Sequence, residues 1–328
     1  MTSPSFLFIH VTRIGDSLFA TPAMRAIAET YPGARIDVLG HPKRAEVFEN
    51  IPFIQNIGQV TPKTAWMRGR LRSHTYDWAF VYGFDEPLVS LGLRLATQTV
   101  AFRQRNEKLN QQLTHLVEPP PFQSEHAIKQ LLRLPASMGA TTENLRIAYA
   151  TTPQEQKNAQ RVLGDFAHGT GPLIGMQPCS FPTKSYRDWP ISHFQELCLK
   201  IAQHWPTARF VIFGGPDDRP KTQPLADSLQ NKALHLTGKL SLRQTGAVMP
   251  FLQLYLGVDT GLTHMMRALD TPMVLLYHCL SLPDQTGPLQ HPHCQFLTLS
   301  PGNRPCNQTL SLGEITVETA FAAVKGML

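Results

Sequence analysis

Long apolar runs are missing from this chain of 328 residues. No stretch approaches the ~18 residues that a helix needs to cross a bilayer, which argues against an integral membrane protein. The N-terminal segment also lacks a basic region before its first apolar stretch, and His10 and Arg13 interrupt that stretch. We therefore expect no signal peptide and a cytoplasmic location.

Charged residues are scarce, at 16% of the chain, whereas 42% of the residues are hydrophobic. This composition excludes a charge-rich disordered chain and can fill the cores of two ordinary domains. The formal net charge of +6 is uneven, because residues 63–108 hold 8 basic and 4 acidic side chains. We expect any anion-attracting surface to lie on this part of the first half.

Cysteines are few, and none are spaced CxxC. The five are Cys179, Cys198, Cys279, Cys294 and Cys306. An odd, scattered set predicts reduced thiols, with neither a disulfide framework nor a zinc ribbon. His291, His293 and Cys294 lie close together in sequence, but no second group of ligands with regular spacing accompanies them, so zinc is not indicated.

Short apolar runs alternate with amphipathic stretches along the whole chain. The runs predict strands at Phe6–Val11, Ile36–Leu39, Ile54–Ile57, Trp78–Tyr82, Thr99–Phe102, Leu173–Met176, Phe210–Phe213, Ala233–Leu236, Leu252–Val258 and Met273–Tyr277. Helices are predicted at about 16–31, 125–138, 192–204 and 314–328, and from about 260. Apolar strands with helices between them indicate parallel sheets that are covered on both faces. The sequence thus predicts an α/β protein with two doubly wound domains.

The two series of strands suggest domains at 1–165 and 166–328. Gly169 and Gly171 follow this boundary and suit a hinge. The last amphipathic stretch, about 314–328, has an apolar face suited to packing back onto the first domain.

A first candidate site is the segment Thr12–Ser17, directly after the first strand. Ligands of open α/β sheets bind at the carboxyl ends of strands. Its single glycine, Gly15, excludes the dinucleotide fingerprint GxGxxG. Asp16 suits either a helix cap or a general base. Because Pro22 is tolerated only near a helix start, we place that start near Thr21 and expect an exposed turn at 15–20, which favours the base.

A second candidate site begins at Asp259, again between a strand and a helix. Thr260 and Gly261 would offer free backbone N–H groups and a partial positive charge to a phosphate. Asp and Thr also cap helices without binding a ligand, and a single helical histidine such as His264 is commonly a packed one. The residues alone leave both interpretations open.

Both sites lie in segments that resemble glycosyltransferase family 9, the lipopolysaccharide heptosyltransferase family. In chain order these segments are RIGDSLFATPAMRAI with Asp16, PCSFPTKSYRDWPISHF from Pro178, FGGPDD from Phe213, LTGKLSL from Leu236 and DTGLTHMMRALDTPMVLLY from Asp259. The resemblance extends over nearly the whole chain and keeps the order of the segments.

The resemblance implies the GT-B fold, with two Rossmann-like domains facing a cleft, the acceptor on the first and a nucleotide-sugar on the second. It also implies inversion by direct displacement, with Asp16 as the base and Arg13 and Gly15 on the acceptor side. The donor and its phosphates would be bound by Asp217, Gly238, Asp259, Thr260, Gly261 and His264. Asp218 is an alternative to Asp217 for a ribose hydroxyl.

This sequence departs from the family pattern in three places. Arg187 stands two residues before Trp189, where the family has lysine, and Lys184 lies three further back, so either can supply the catalytic cation. The family's glycine-proline turn is absent after Tyr277, and its cysteine-rich tail is reduced to Cys306. These departures surround the expected donor site.

The resemblance implies transfer of a heptose, with ADP-heptose as the expected donor, to the lipopolysaccharide inner core. The alternatives are transfer of a hexose or uronic acid from a UDP-sugar, and an enzyme like the nucleotide-sugar 2-epimerases. We expect no cofactor and no metal, since the chain has no DxD motif. We also expect peripheral contact with the inner face of the cytoplasmic membrane, and no nucleic-acid partner.

Overall fold

A computed structural model describes residues 3–68, 74–121 and 123–328 of the chain. The chain divides into two compact units, Met1–Ala150 and Thr151–Leu328. Each unit contains one parallel sheet with helices, as the apolar runs predict, but each sheet has six strands where the runs indicate five. Two basic residues of the 63–108 segment, Arg70 and Arg72, lie outside the described residues.

The sheet of the first unit has the strand order β3-β2-β1-β4-β5-β6. Its strands are β1 (Ser5–His10), β2 (Arg35–Gly40), β3 (Asn56–Gln59), β4 (Tyr76–Val81), β5 (Ala96–Phe102) and β6 (His115–Val117). Its helices are α1 (Ile14–Phe19), α2 (Thr21–Thr30), α3 (Ala65–Arg68), α4 (Glu86–Leu95), α5 (Glu107–Asn110) and α6 (Ala127–Ala136). The winding direction reverses between β1 and β4, and Asp16 lies in the first turn of α1, which follows β1.

The strands β1 and β4 lie at the centre of this sheet because their side chains are apolar on both faces. Phe8 stacks on Phe80 with ring centroids 4.9 Å apart, and both are fully buried. On the other face, Leu7 and Ile9 belong to a buried cluster that includes Val89 of α4. Burial on both faces fixes the end of β1, and therefore the start of α1.

The sheet of the second unit has the order β12-β11-β10-β7-β8-β9. Its strands are β7 (Leu173–Gln177), β8 (Arg209–Ile212), β9 (Ala233–His235), β10 (Leu254–Val258), β11 (Met273–Tyr277) and β12 (Cys294–Thr298). Its helices are α7 (Pro153–Leu163), α8 (Ile191–His204), α9 (Arg219–Leu229), α10 (Leu242–Val248), α11 (Gly261–Met266), α12 (Pro283–Thr286) and α13 (Val317–Met327). Here the winding direction reverses between β7 and β10.

The C-terminal helix α13 packs onto α8 and β11 of its own unit. Its Ala320 and Val324 are fully buried in the core of that unit. The indole of Trp189 donates a hydrogen bond to the carbonyl of Ile315, at 2.9 Å, just before the helix. Helix α13 therefore contributes to the core of the second unit, and its packing back onto the first domain stays a prediction.

The boundary between the units falls at Ala150, 15 residues before the predicted one. Helix α7 packs onto α10, and Glu155 pairs with Arg243 at 2.6 Å, so this helix belongs to the second unit. The glycines expected to form a hinge lie inside that unit as well. The guanidinium of Arg209 donates to the carbonyl oxygens of Gly169 and Gly171. A Cβ at Gly169 would lie 2.5 Å from Cζ of Arg209, and one at Gly171 would lie 2.3 Å from the carbonyl oxygen of Thr207, so neither position has room for a side chain.

Two further expectations are corrected by the structure. Residues 15–20 do not form an exposed turn, because Ile14–Phe19 is a helix in which Gly15, Ser17, Leu18 and Phe19 are buried. The cysteines are not all reduced, since Cys279 and Cys306 form a disulfide across 27 residues. No helix of the described residues combines the length and the hydropathy needed to cross a membrane.

Candidate functional site

Asp16 occupies the first turn of α1, at the carboxyl end of β1. The N-cap of this helix is Arg13, and Asp16 is exposed while its neighbours Gly15 and Ser17 are buried. Since Asp16 is not the N-cap residue, the helix-cap interpretation does not describe its position. An exposed carboxylate at the point where the winding direction reverses is placed to meet a ligand.

Three residues hold the segment around Asp16. The hydroxyl of Thr12 donates to the Asp16 carboxylate at 3.2 Å, and Nη1 of Arg44 donates to the Thr12 carbonyl at 3.1 Å. The Nε2 of His10 lies 2.9 Å from the carbonyl oxygen of Asp16. Burial lowers the pKa of His10, so its ring is neutral near pH 7 and Nε2–H can donate this bond. The carboxylate is therefore oriented from its own loop.

The residues predicted on the acceptor side lie in the same turn. Arg13 is exposed at the start of α1, and Gly15 is buried in the first turn. A guanidinium next to an exposed carboxylate gives this end of the sheet both a cation and a base.

In the second unit, Asp259 follows β10 and is the centre of a cluster of polar side chains. Its Oδ2 accepts hydrogen bonds from Arg187 Nη1 at 2.6 Å and from Ser281 Oγ at 2.5 Å. The Nε2 of His264 lies 3.5 Å from Oδ1. We call Arg187, Asp259, His264 and Ser281 the Asp259 cluster. It spans the point between β7 and β10 where the winding direction reverses.

The Asp259 cluster is mostly shielded from water but not closed. The side chain of Asp259 is 4% exposed, whereas that of Arg187 is 21% exposed. A buried carboxylate requires such pairing, because desolvation would otherwise be costly. The remaining exposure of Arg187 leaves part of its guanidinium available to an anion.

Thr260 and Gly261 lie at the start of α11, beside this cluster. Thr260 is in an extended conformation and makes no side-chain cap hydrogen bond. Both residues are partly exposed, while the Thr263 hydroxyl donates back to the Val258 carbonyl at 2.6 Å. The first backbone N–H groups of this helix are therefore accessible next to Arg187.

Of the two candidate cations, the structure brings Arg187 to the Asp259 cluster. Both residues approach the ring of Tyr186, with Lys184 Nζ 5.8 Å and Arg187 Cζ 5.7 Å from its centroid. The backbone carbonyl of Lys184 accepts a bond from Ser180 Oγ at 2.7 Å. Only Arg187 is paired with Asp259, so it is the better candidate.

Asp217 and Gly238 lie in the turns after β8 and β9. Asp217 is exposed, whereas Asp218 accepts a bond from the Gly215 N–H at 2.8 Å, and burial raises the pKa of Asp218. Gly238 has φ +71, and a Cβ there would lie 2.8 Å from the Cα of Pro216. Asp218 thus supports the turn, and Asp217 keeps its carboxylate open to a ligand.

Sequence reasoning missed Ser281 and His10, and it placed Thr12 in the first candidate segment without giving it a role. Thr12 and His10 stand within a few residues of Asp16, and polar side chains that end an apolar strand are a usable signal. Ser281 lies 22 residues after Asp259, beyond the end of the segment DTGLTHMMRALDTPMVLLY. Only the tertiary structure brings the two residues together.

One group of side chains among the described residues has the geometry of metal ligands. His278, Cys279 and Cys306 place their donor atoms within 4.8 Å of one another. The two sulfur atoms are joined in a disulfide, which leaves His278 as the sole ionisable donor of the group. His291, by contrast, hydrogen-bonds the Leu269 carbonyl at 2.7 Å.

Comparison with known proteins places this chain and its fold in one class. Residues 67–314 match glycosyltransferase family 9 (heptosyltransferase). Lipopolysaccharide heptosyltransferase 3 of Escherichia coli is 24% identical over 281 residues, which is 80% of each chain. The protein is a glycosyltransferase.

Solved structures agree on the fold. The glycosyl transferase family 9 protein from Veillonella parvula superposes with a TM-score of 0.85 at 19% identity, over 99% of this chain and 97% of that one. The E. coli ADP-heptose lps heptosyltransferase II superposes with a TM-score of 0.80 at 20% identity, over 98% of both chains. The fold is GT-B, and the chain belongs to glycosyltransferase family 9.

Proposed function

We propose that this protein transfers a heptose from ADP-heptose to the lipopolysaccharide inner core. The observation that carries the proposal is the pairing of Arg187 with Asp259 beside the open N–H groups of Thr260 and Gly261. A cation and a helix start at the carboxyl end of one sheet suit a diphosphate. Family membership supports a heptose as the sugar. The name of the E. coli ADP-heptose lps heptosyltransferase II, which has the same fold, supports ADP as the nucleotide.

Transfer proceeds by direct displacement at the anomeric carbon. An acceptor hydroxyl oxygen forms the new bond to that carbon, the bond from the carbon to the diphosphate oxygen breaks, and ADP leaves. Asp16 takes the proton of the acceptor hydroxyl, because its carboxylate is exposed and is held by Thr12. Inversion of the anomeric centre follows from attack opposite the leaving group.

The negative charge that develops on the leaving diphosphate is stabilised by groups already in place. Arg187 supplies a permanent positive charge, and its bond to Asp259 fixes its direction before the donor binds. Asp217 accepts a hydrogen bond from a ribose hydroxyl. This set of side chains supplies both charge stabilisation and proton transfer, and we propose that the reaction uses no metal and no cofactor.

The acceptor is proposed to bind on the first unit. Its anionic groups would be attracted by the basic excess of residues 63–108, since a cluster of one sign of charge raises the local concentration of opposite charges. Because this acceptor is anchored in a bilayer, we propose that the protein works in the cytoplasm at the inner face of the cytoplasmic membrane.

Thermal unfolding with ADP, UDP and GDP tests the choice of donor. A nucleotide at 100 times its Kd stabilises the protein by about 2.7 kcal/mol. For domains of this size, that raises Tm by roughly 5–11 °C. We expect ADP to produce this shift at a lower concentration than UDP or GDP. A larger shift with UDP would replace the ADP-heptose proposal with transfer from a UDP-sugar.

A further inference from the structure

The loop after β11 links the Asp259 cluster to the disulfide. Within four residues it carries His278, Cys279 and Ser281, and Cys279 is bonded to Cys306. We propose that this disulfide is a thiol–disulfide exchange site, for dithiols and small disulfides, whose state sets the affinity for the nucleotide-sugar. The inference rests on the proposed function, because it concerns the same donor site.

The loop contacts the Asp259 cluster on both sides of Cys279. On one side, the ring of His278 packs edge-on against Tyr186, with centroids 5.0 Å apart, and Arg187 lies over that same tyrosine ring. On the other side, Ser281 Oγ donates to Asp259 Oδ2 at 2.5 Å. A movement of Cys279 therefore acts on Asp259 through Ser281, and on Arg187 through His278 and Tyr186.

The position of the loop depends on the segment that carries the second cysteine. The Nε2 of His278 lies 3.1 Å from the carbonyl oxygen of Leu310, four residues after Cys306. Burial lowers the pKa of His278, so its neutral ring can donate this one bond. The disulfide is the covalent part of this attachment. Once it opens, the hydrogen bond between His278 and Leu310 and the packing of Cys279 against the cluster that contains Leu310 remain.

Small thiols can reach this disulfide in the folded protein. Cys279 and Cys306 are partly exposed, and residues 302–305 and 307–309 around Cys306 are exposed. Accessible disulfides are the ones that exchange. The site therefore does not require unfolding in order to react.

The three remaining cysteines are poorly suited to this chemistry. Burial raises the pKa of Cys179 and of Cys294 to about 12, and it also raises the pKa of Cys198. The thiolate is the reactive form, so these thiols react slowly at neutral pH. Exchange is thus directed to the pair Cys279 and Cys306.

Exchange with a dithiol proceeds in two balanced steps. A thiolate of the dithiol attacks one sulfur of the disulfide, forming a mixed disulfide and releasing one cysteine thiolate, which takes up a proton. The second thiol of the reductant then attacks the mixed disulfide and releases the other cysteine. The dithiol loses two electrons and becomes a cyclic disulfide, and Cys279 and Cys306 become thiols. A small disulfide reverses both steps.

We expect the protein with the disulfide intact to bind the donor more tightly than the protein with the disulfide reduced. With the disulfide intact, Ser281 holds the Asp259 carboxylate, and that carboxylate holds Arg187 towards the phosphates. With the disulfide open, the loop loses its covalent attachment, and we expect the bond from Ser281 to Asp259 to be lost. Losing one hydrogen bond of this kind raises a Kd by about two- to tenfold.

The experiment measures the Kd of the full chain for ADP by isothermal titration calorimetry, before and after reduction with dithiothreitol. Alkylation and peptide mapping of the folded protein establish that only Cys279 and Cys306 gain thiols. Circular dichroism verifies that both forms are folded. We expect reduction to raise the Kd by about two- to tenfold, and reoxidation to restore it.

Three variants test whether the change of Kd on reduction comes from the Cys279–Cys306 disulfide and depends on Ser281. A double variant, Cys279→Ser with Cys306→Ser, should have the Kd of the reduced protein and no response to dithiothreitol. The matched control Cys294→Ser should keep the full response, because it retains the pair. Ser281→Ala should bind ADP weakly even when oxidised, and its reduction should add little, because the bond that reduction loosens is already gone.

Equal Kd values for the oxidised and reduced parent would overturn the coupling while leaving the proposed function intact. A full response to reduction in Ser281→Ala would overturn the route through Asp259. Absence of ADP binding in both forms would overturn the proposed function, and this inference with it.

Discussion

Asp259 is a buried carboxylate, and two donors on one of its oxygens make its burial tolerable. Arg187 and Ser281 both donate to Oδ2, and the Nε2 of His264 lies 3.5 Å from Oδ1. A buried acid paired in this way holds its partner in one direction. At the scale of residues, the consequence is a guanidinium that is aligned before any ligand arrives.

Substitution of the two candidate cations tests this alignment. We expect Arg187→Lys to retain folding but to lower kcat, because lysine cannot keep the directional fork of arginine. Arg187→Ala should lower kcat by about 10²–10³, the usual loss when a group that stabilises developing charge is removed. Lys184→Ala, the matched control, should change kcat little. The measurement is initial-rate kinetics with saturating donor and acceptor.

A larger loss in Lys184→Ala than in Arg187→Ala would reverse the assignment of the cation. Because Arg187→Ala leaves Asp259 buried without its ion pair, each variant is first compared with the parent by circular dichroism and thermal unfolding.

The hydroxyl of Thr12 gives a second test at the same scale. Thr12→Val keeps the shape of the side chain but removes the bond to the Asp16 carboxylate. We expect kcat to fall by about two- to tenfold with the Kd for ADP unchanged, whereas Thr12→Ser should restore most of the rate. Steady-state kinetics and calorimetry on the same preparation measure both quantities. Equal rates for the valine and serine variants would mean that this bond does not serve catalysis.

At the scale of elements, an ion pair adds to the packing that joins helix α7 to the second unit. Glu155 accepts from Arg243 Nη2 at 2.6 Å and also closes a capping box with Thr152. The hydrogen bond from Arg243 lowers the pKa of Glu155 below its ordinary value of 4.5. The folded protein therefore binds this proton less readily than the unfolded chain does.

This difference in proton binding predicts a pH dependence of stability. A carboxyl group whose pKa is lowered by folding stabilises the folded state at pH values above its ordinary pKa. That stabilisation is lost as the pH falls through the pKa of the folded state. We expect Glu155→Gln to unfold at a lower Tm than the parent at pH 7. The difference in Tm between the parent and Glu155→Gln should become smaller as the pH falls from about 5 to about 3. Thermal unfolding across this range measures it, and a gap that is independent of pH would exclude the ion pair as its source.

The central strands and two of the edge strands, β3 and β9, could be predicted from the sequence, but the edge strands β6 and β12 could not. Strands such as β1 and β10 are apolar on both faces and stand out as continuous runs. At the edges, β6 is only half buried, and β12 contains two exposed residues, so neither gives such a run. Helix α7 buries only Ala159 and Leu163, which is too narrow a stripe to define a helix by periodicity.

The two central carboxylates of the candidate site could be predicted because the strands before them could be predicted. Asp16 and Asp259 directly follow predicted strands, so their position at the carboxyl ends could be inferred. The choice between Lys184 and Arg187 could not be made, because it depends on which side chain reaches Asp259. The bond between Cys279 and Cys306 spans 27 residues without a local motif, so the folded loops alone reveal it.

On the scale of the whole molecule, the two units divide the chemistry between them. The first unit carries the exposed carboxylate of Asp16 at the reversal point of its sheet, and the second carries the Asp259 cluster at the corresponding point of its own. In the proposed function, the same doubly wound plan supplies the base from one unit and the cation with the neighbouring N–H groups from the other. This division predicts that donor binding and proton transfer can be lost independently.

The most direct test is the mass of the acceptor after incubation with the purified protein and ADP-heptose. We expect a lipopolysaccharide acceptor with an incomplete inner core to gain the mass of one heptosyl group. Asp16→Asn keeps the shape of the side chain but removes its basicity, so it should bind ADP as the parent does and transfer about 10²–10⁴-fold more slowly. An unmodified acceptor with the parent protein, or undiminished transfer by a folded Asp16→Asn variant, would contradict the account.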